Sequence, residues 1–306
     1  MRIKLCGLIA CAAMLAAGVV SCQQHDDIPQ GVKYPILFDS PDTRATATID
    51  DLKTNGFMVY AFVDGNVGST SFAKKVTHSV VGGRDIWALE TPEYWLPDTD
   101  YYFKAFYPSV PSAGTLAVNN GSSTQSFSIT NFDITEQEDI MVAEATASVE
   151  AGASAPTNGN VVDLNFQHLL ANVTIKAKSQ IDGVIIQEIV IGRADTNSTY
   201  NGSVWNLSGN TTTLEYSQPT TLTKGAEFVD VTNGGILVIP ASANNKTLTI
   251  QANKTYKLEF PTGTWEPGKR YTYTLEIKQD DITFVDDAPY VEEWDSENAT
   301  GSVIIK

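Results

Sequence analysis

The sequence predicts an all-β protein built as two tandem β-sandwiches. Three observations carry this. From residue 30 onward, residues alternate with a period of two in short runs rich in β-branched and aromatic side chains, the pattern of half-buried strands. The runs stop at Gly, Pro, Asn and Asp, as closely spaced turns require. Near mid-chain, residues 150–160 (EAGASAPTNGN) are small, polar and turn-rich, the composition of a domain boundary. A length of 306 residues also suits two domains. No long stretch shows a helical stripe.

The first segment reads as an address. Arg2 and Lys4 give a short basic start, and residues 5–20 follow without a charge. That run falls short of the roughly 20 residues a permanent membrane helix needs. It ends in Val19-Val20-Ser21-Cys22, which resembles a bacterial lipobox. The expected division is a signal peptide over 1–21, a tether and candidate removable strand over 22–44, and sandwiches over 45–155 and 156–306. Cys22 would then carry lipid, palmitate included, as the first mature residue. Cys6 and Cys11 would leave with the signal, so the mature chain would hold no free thiol. Behind Cys22 stand Gln23-Gln24-His25-Asp26-Asp27; the acidic pair resembles the surface-export signal of Bacteroidetes lipoproteins.

The strand runs follow in order. Val32, Tyr34, Ile36 and Phe38 alternate with Lys33, Pro35, Leu37 and Asp39, giving one strand with one apolar face. Pro35 cannot donate to a ladder, which favours a sheet edge. Pro41-Asp42-Thr43-Arg44-Ala45 reads as an accessible loop. Phe57, Val59, Ala61 and Val63 form the next apolar parity, and residues 101–107 an aromatic run stopped by Pro108. Late strands are expected around 236–239, 247–251, 255–260 and 271–277, the last after the turn Pro267-Gly268. Between 161 and 175 the parity changes. Val162, Leu164, Phe166 and His168 share one phase, whereas Leu169, Ala171, Val173 and Ile175 share the other. One strand cannot bury both sets on one face, so a bulge or corner is expected at His168 and Leu169, with His168 packed there.

Composition and motifs remove several kinds of chemistry. Twenty Lys+Arg against 36 Asp+Glu give a net charge of −16, which argues against nucleic acid as a partner. The three histidines, His25, His78 and His168, have no metal spacing among them. There is no nucleophile elbow and no phosphate-binding glycine loop. Asp280-Asp281, Asp286-Asp287 and Glu292-Glu293 carry ligands suited to calcium, but no EF-hand loop. No catalytic residue, metal or cofactor is therefore assigned. Tyr94-Trp95, Trp265 and Trp294 are candidates for stacking on sugars, against the default of core packing.

Three features then resemble the fimbrillin family, the pilin subunits of Bacteroidales type V pili and their relatives. One is the lipobox followed by a strand and Thr43-Arg44-Ala45. Another is Asp139-Ile140-Met141-Val142-Ala143 with residues 162–171 (VDLNFQHLLA) beyond it. The last is residues 265–273 (WEPGKRYTY). The resemblance implies two sandwiches of transthyretin-like topology, export as an outer-membrane lipoprotein, and a place at the cell surface or in a fimbrium. It also implies cleavage between Arg44 and Ala45 by an arginine-specific protease. The strand carrying Val32, Tyr34, Ile36 and Phe38 would then leave, and a neighbouring pilin subunit would fill the groove. The candidate donor strand is Val303, Ile304 and Ile305. Burying four such apolar side chains is worth on the order of 6–12 kcal/mol, at roughly 1.5–3 each, and the incoming strand would satisfy the opened edge.

Three functional readings meet these features: a non-enzymatic structural and adhesive fibre subunit, a glycan-binding surface lipoprotein resembling starch-utilisation accessory lipoproteins, and a sandwich glycosidase using two carboxylates. A glycan or host-protein ligand fits the first two. The first alone explains the front strand, Thr43-Arg44 and the apolar terminus together.

Overall fold

Alternation places β-branched and aromatic side chains on one face of each strand, and the chain answers with sheets almost throughout. The structure is a computed structural model and describes residues 33–39, 46–63, 71–120 and 125–294. The first strands are β1 (Leu37–Phe38), β2 (Phe57–Val63), β3 (Phe72–Val81), β4 (Arg84–Leu89) and β5 (Thr99–Tyr107). Then come β6 (Thr115–Asn120), β7 (Gln125–Phe132), β8 (Met141–Val149), β9 (Val161–Val162) and β10 (Gln167–His168). Eight of these form one sheet in the order β10-β8-β5-β2-β3-β4-β1-β9. At the end of β2 the expected parity reverses, with Phe62 buried and Val63 half-buried, but it holds before that, where Phe57, Val59 and Ala61 are buried and Met58 and Tyr60 half-buried. They share a first core with Phe103, Trp87, Trp95 and Phe166.

One helix forms where none was expected. It is α1 (Thr46–Asn55), and its Leu52 enters the first core. A helix of this length is marginal alone, so its hold is tertiary. Lys53 pairs with Asp85 of β4 at 3.2 Å, and Asn55 donates to the Tyr107 hydroxyl at 3.3 Å. The helix stops at Gly56, whose N–H donates to the Leu52 carbonyl. Gly56 has φ +67°, and a Cβ there would lie 2.3 Å from the Val76 carbonyl oxygen, so only glycine fits.

The second half continues with β11 (Ala171–Ser179), β12 (Val184–Ile186), β13 (Glu188–Asp195), β14 (Ser198–Tyr200), β15 (Trp205–Asn206) and β16 (Thr211–Tyr216). It closes with β17 (Thr220–Leu222), β18 (Val229–Asp230), β19 (Ile236–Val238), β20 (Thr247–Gln251), β21 (Thr255–Glu259), β22 (Lys269–Ile277), β23 (Ile282–Phe284) and β24 (Tyr290–Glu293). Several sheets supply its core. In one, β11 runs parallel to β22, with β18 and β19 on the far side of β11. Another has the order β16-β13-β20-β21. Residues 171–175 are buried without alternation, as a parallel strand covered on both faces should be. The polar groups caught there are satisfied: Asn172 donates to the Gly234 carbonyl and accepts from Thr174.

The parity change between 161 and 175 is a corner between cores. Val162, Leu164 and Phe166 belong to the first core, and Leu169 begins the second. His168 is buried there, as expected. Two further devices join the halves. Strands β6 and β7 pair with β14 and β15 in one sheet, and Phe106, Phe127 and Ile129 enter the second core. The Gln137 side chain bonds both backbone groups of Leu237, accepting from its N–H at 2.8 Å and donating to its carbonyl at 3.0 Å. Among the described residues, no helix is long and apolar enough to cross a membrane.

Candidate functional site

The front strand is the first candidate, and it is not an edge. Leu37 and Phe38 pair antiparallel with Ala88 and Trp87 of β4. On the other side they pair parallel with Val161 and Val162 of β9. The ladder extends beyond β1 in both directions. The Ile36 N–H donates to the Glu93 carbonyl at 2.8 Å, and the Trp95 N–H to the Tyr34 carbonyl at 3.1 Å. Opposite, the Leu37 N–H donates to the Asn160 carbonyl and the Asp39 N–H to that of Val162. The edge position expected from Pro35 is therefore corrected. Residues 35, 37 and 39 turn their nitrogens toward β9, which begins only opposite Leu37, so the N–H that proline lacks falls before that ladder starts.

Side chains deepen the hold. Ile36 is 1% exposed and Phe38 3%. Phe38 meets Phe103 edge-on at 5.8 Å and Phe57 at 6.4 Å. Tyr34 is half-buried against the same core. Full burial of two side chains, at roughly 1.5–3 kcal/mol each, gives about 3–6 kcal/mol for Ile36 and Phe38. Removing this segment would open a slot with unpaired backbone on two flanks, at β4 and at β9.

The remaining residues of the processing scheme lie outside the described residues. These are Cys22, Val32, Arg44, Ala45, Val303, Ile304 and Ile305. The C-terminal end of the described chain is clear, however. Residues 290–293 form β24, which pairs antiparallel with β22 through Tyr271↔Val291. They belong to the last sheet. Lys269 pairs with Glu293, and Arg270 with Glu292 at 3.6 Å. Trp294 is buried, and its N–H donates to the Gly268 carbonyl.

The aromatic candidates mostly pack. Trp95, Trp265 and Trp294 are buried, and of the four only Tyr94 is exposed. Trp265 donates its indole N–H to the Tyr273 hydroxyl at 3.0 Å. Those tryptophans do not present sugar platforms.

Ionisable groups are held in pairs. Tyr102 donates to Glu144 at 2.7 Å, and Lys104, itself buried, pairs with the same carboxylate. Burial, and then the Glu144 contact, push the Tyr102 phenol up to about 12. Burial pushes Glu144 up, but the hydrogen bonds from Lys104 and Tyr102 outweigh it and hold the carboxyl below its usual range. Asp85 is held low, first by its hydrogen bond with His78 and then by Lys53. Among the described residues, no three His, Cys, Asp or Glu side chains gather as a metal site.

Sequence reasoning missed the second wall of the slot. Val161 and Val162 read as the start of the following strand, and nothing local says that they return to residue 37. The Asn160 carbonyl, which also accepts from the Trp95 indole N–H at 3.3 Å, carries no sequence signal.

Comparison with known proteins gives the same architecture. A fimbrial protein from Bacteroides vulgatus is 14% identical, covering 86% of this chain and all of that one, with a TM-score of 0.59. A proposed cell adhesion protein from Bacteroides uniformis is 17% identical, covering 87% of this chain and all of that one, with a TM-score of 0.55. A third, also a proposed cell adhesion protein, from Bacteroides ovatus, is 16% identical over 80% of this chain and 89% of that one, with a TM-score of 0.53. At these identities the likeness establishes fold. No curated protein matches the chain. The family model described as fimbrillin-like matches residues 43–294. With that match over most of its length, the chain belongs to the fimbrillin-like family.

Proposed function

We propose that this protein is a non-enzymatic structural and adhesive subunit of a cell-surface fimbrium, assembled by strand exchange. In this reading it is exported as a lipoprotein on Cys22 and held at the outer membrane. An arginine-specific protease then cuts between Arg44 and Ala45. The released piece carries Val32, Tyr34, Ile36 and Phe38, and Val303, Ile304 and Ile305 of a neighbouring subunit take its place. The observation that carries this reading is the position of residues 34–39, bonded on both sides and sealing the first core with Ile36 and Phe38. Such a segment is a plug whose loss leaves a slot of matching shape, which is the physical basis of β-strand addition. Family membership supports a fimbrial role and a surface location.

Limited digestion of the purified chain with an arginine-specific protease, followed by sizing without heating, tests it. Cleavage at Arg44 should yield a ladder of oligomers, and Arg44→Ala should remain monomeric. A cut chain that stays monomeric, or an Arg44→Ala chain that polymerises equally, contradicts the proposal.

A further inference from the structure

A cleft of about 780 Å³ opens where β10, β15 and the turn before β22 approach one another. A smaller hollow of about 370 Å³ adjoins it, and Val142, Asn165, Gln167 and Tyr200 line both. The volume lies within the range of small-molecule sites, roughly 300–1,000 Å³.

The lining is specific in kind. Tyr200 is only 8% exposed, yet it borders both spaces, and among the described residues its hydroxyl has no hydrogen-bond partner. The hydroxyl is not sealed from solvent, so it is free to bond a ligand in the cleft. Asn165 and Gln167 share a parity opposite to the buried Leu164, Phe166 and His168, so their amides face outward into the cleft. Those amides also lack a partner among the described residues. Trp205 is the one tryptophan of the five that is not buried. Its indole N–H donates to the Leu169 carbonyl at 2.8 Å, which fixes the ring. Lys104 pairs with Glu144 and Lys269 with Glu293, and Glu266 adds one further carboxylate to the lining.

Beside these charges the lining offers a fixed aromatic ring with neutral donors and acceptors. An aromatic face is negative and attracts C–H bonds, and the amides and phenol suit hydroxyl groups. A chain of net charge −16 disfavours anionic ligands. We propose that this cleft binds a neutral oligosaccharide, with a ring face against Trp205 and hydroxyls bonded to Tyr200, Asn165 and Gln167. The proposal goes beyond fibre assembly and does not depend on it, since no residue of the front strand lines the cleft.

The test is calorimetry and tryptophan fluorescence on the uncleaved chain, with gluco-, manno-, galacto-, xylo- and N-acetylglucosamine oligosaccharides. At least one should bind saturably and perturb tryptophan emission. The double variant Asn165→Ala, Gln167→Ala should weaken that binding by about tenfold and Tyr200→Phe by about fivefold, with little change in melting temperature. Trp205→Ala should abolish the fluorescence response. Should that variant lose its fold with the Leu169 contact, the exposed double variant carries the test. The absence of saturable binding up to about 10 mM sugar, binding undiminished in the double variant, or preference for an oligouronate would overturn the proposal.

Discussion

His168 stacks on Trp294, with ring centroids 3.9 Å apart and planes inclined by 17°. The first residue sits at the corner where the chain leaves one core for the other. The second follows the last strand of the described chain. His168 also hydrogen-bonds Asp139, with Nδ1 2.8 Å from Oδ2, so three segments far apart in sequence meet at one imidazole. Removing Trp294 should therefore loosen both the corner and the C-terminal strand. Trp294→Ala should cost about 3–5 kcal/mol in urea unfolding, and hydrogen exchange at residues 290–293 should rise sharply. Unchanged protection of β24 would contradict the role assigned to this contact.

The front strand should report its two buried side chains unequally with its half-buried one. Phe38→Ala should cost about 3–5 kcal/mol and Ile36→Ala about 2–5, each truncation leaving a cavity in the first core. Leu37→Ala, on the half-buried face, should cost less than either. Equal losses in denaturant melts at all three positions would show that the side chains do not seal the core as described.

Buried Lys246 and half-buried Asp195 form an ion pair at 2.5 Å, with the Lys246 ammonium also donating to the Arg193 carbonyl and lying 5.8 Å from the Trp265 ring centre. Truncating Asp195 leaves the buried Lys246 ammonium without its counter-charge. Asp195→Ala should cost about 3–5 kcal/mol in thermal or urea melts, whereas replacing both residues with apolar ones of similar size should restore much of the loss. A double replacement as damaging as Asp195→Ala would contradict this account.

Alkali should destabilise the protein above pH 10. Burial, and then the Glu144 contact, raise the Tyr102 phenol to about 12. Burial raises Tyr273 to about 12, although the indole N–H of Trp265 opposes it. Both values lie above the ordinary 10.0. The stability these groups contribute is full below pH 10 and is lost as pH rises toward 12. Absorbance at about 295 nm should show Tyr102 and Tyr273 among the tyrosines that titrate late and together with unfolding. In Glu144→Gln, the Tyr102 ionisation should move to lower pH. No movement in that variant would remove Glu144 as a cause.

Much of the fold is legible because strand alternation is local. Phe57, Val59 and Ala61, the aromatic run of β5 and the series from β20 to β22 each declare a face within a few residues. The corner at His168 is legible for the same reason, since a parity change needs only its immediate neighbours. Pairing is not local. Leu37 meets Val161 across more than a hundred residues, so Pro35 suggests an edge while β9 supplies a cover. The parallel union of β11 with β22 is equally hidden. Helix α1 escapes notice because its hold is the tertiary burial of Leu52, with the Lys53–Asp85 and Asn55–Tyr107 contacts beside it, rather than an apolar stripe. The tryptophan candidates Trp95, Trp265 and Trp294 prove to be core residues, while Trp205, between Val204 and Asn206 in a two-residue strand, is the half-buried one.

The most direct measurement of the central claim is the intact mass and N-terminal residue of the protein recovered from its native cell surface. The account predicts a species that begins at Ala45 and carries no lipid, so that the segment containing Ile36 and Phe38 has left its slot. A species that begins at lipidated Cys22, found within assembled fibres, would contradict strand exchange at this position.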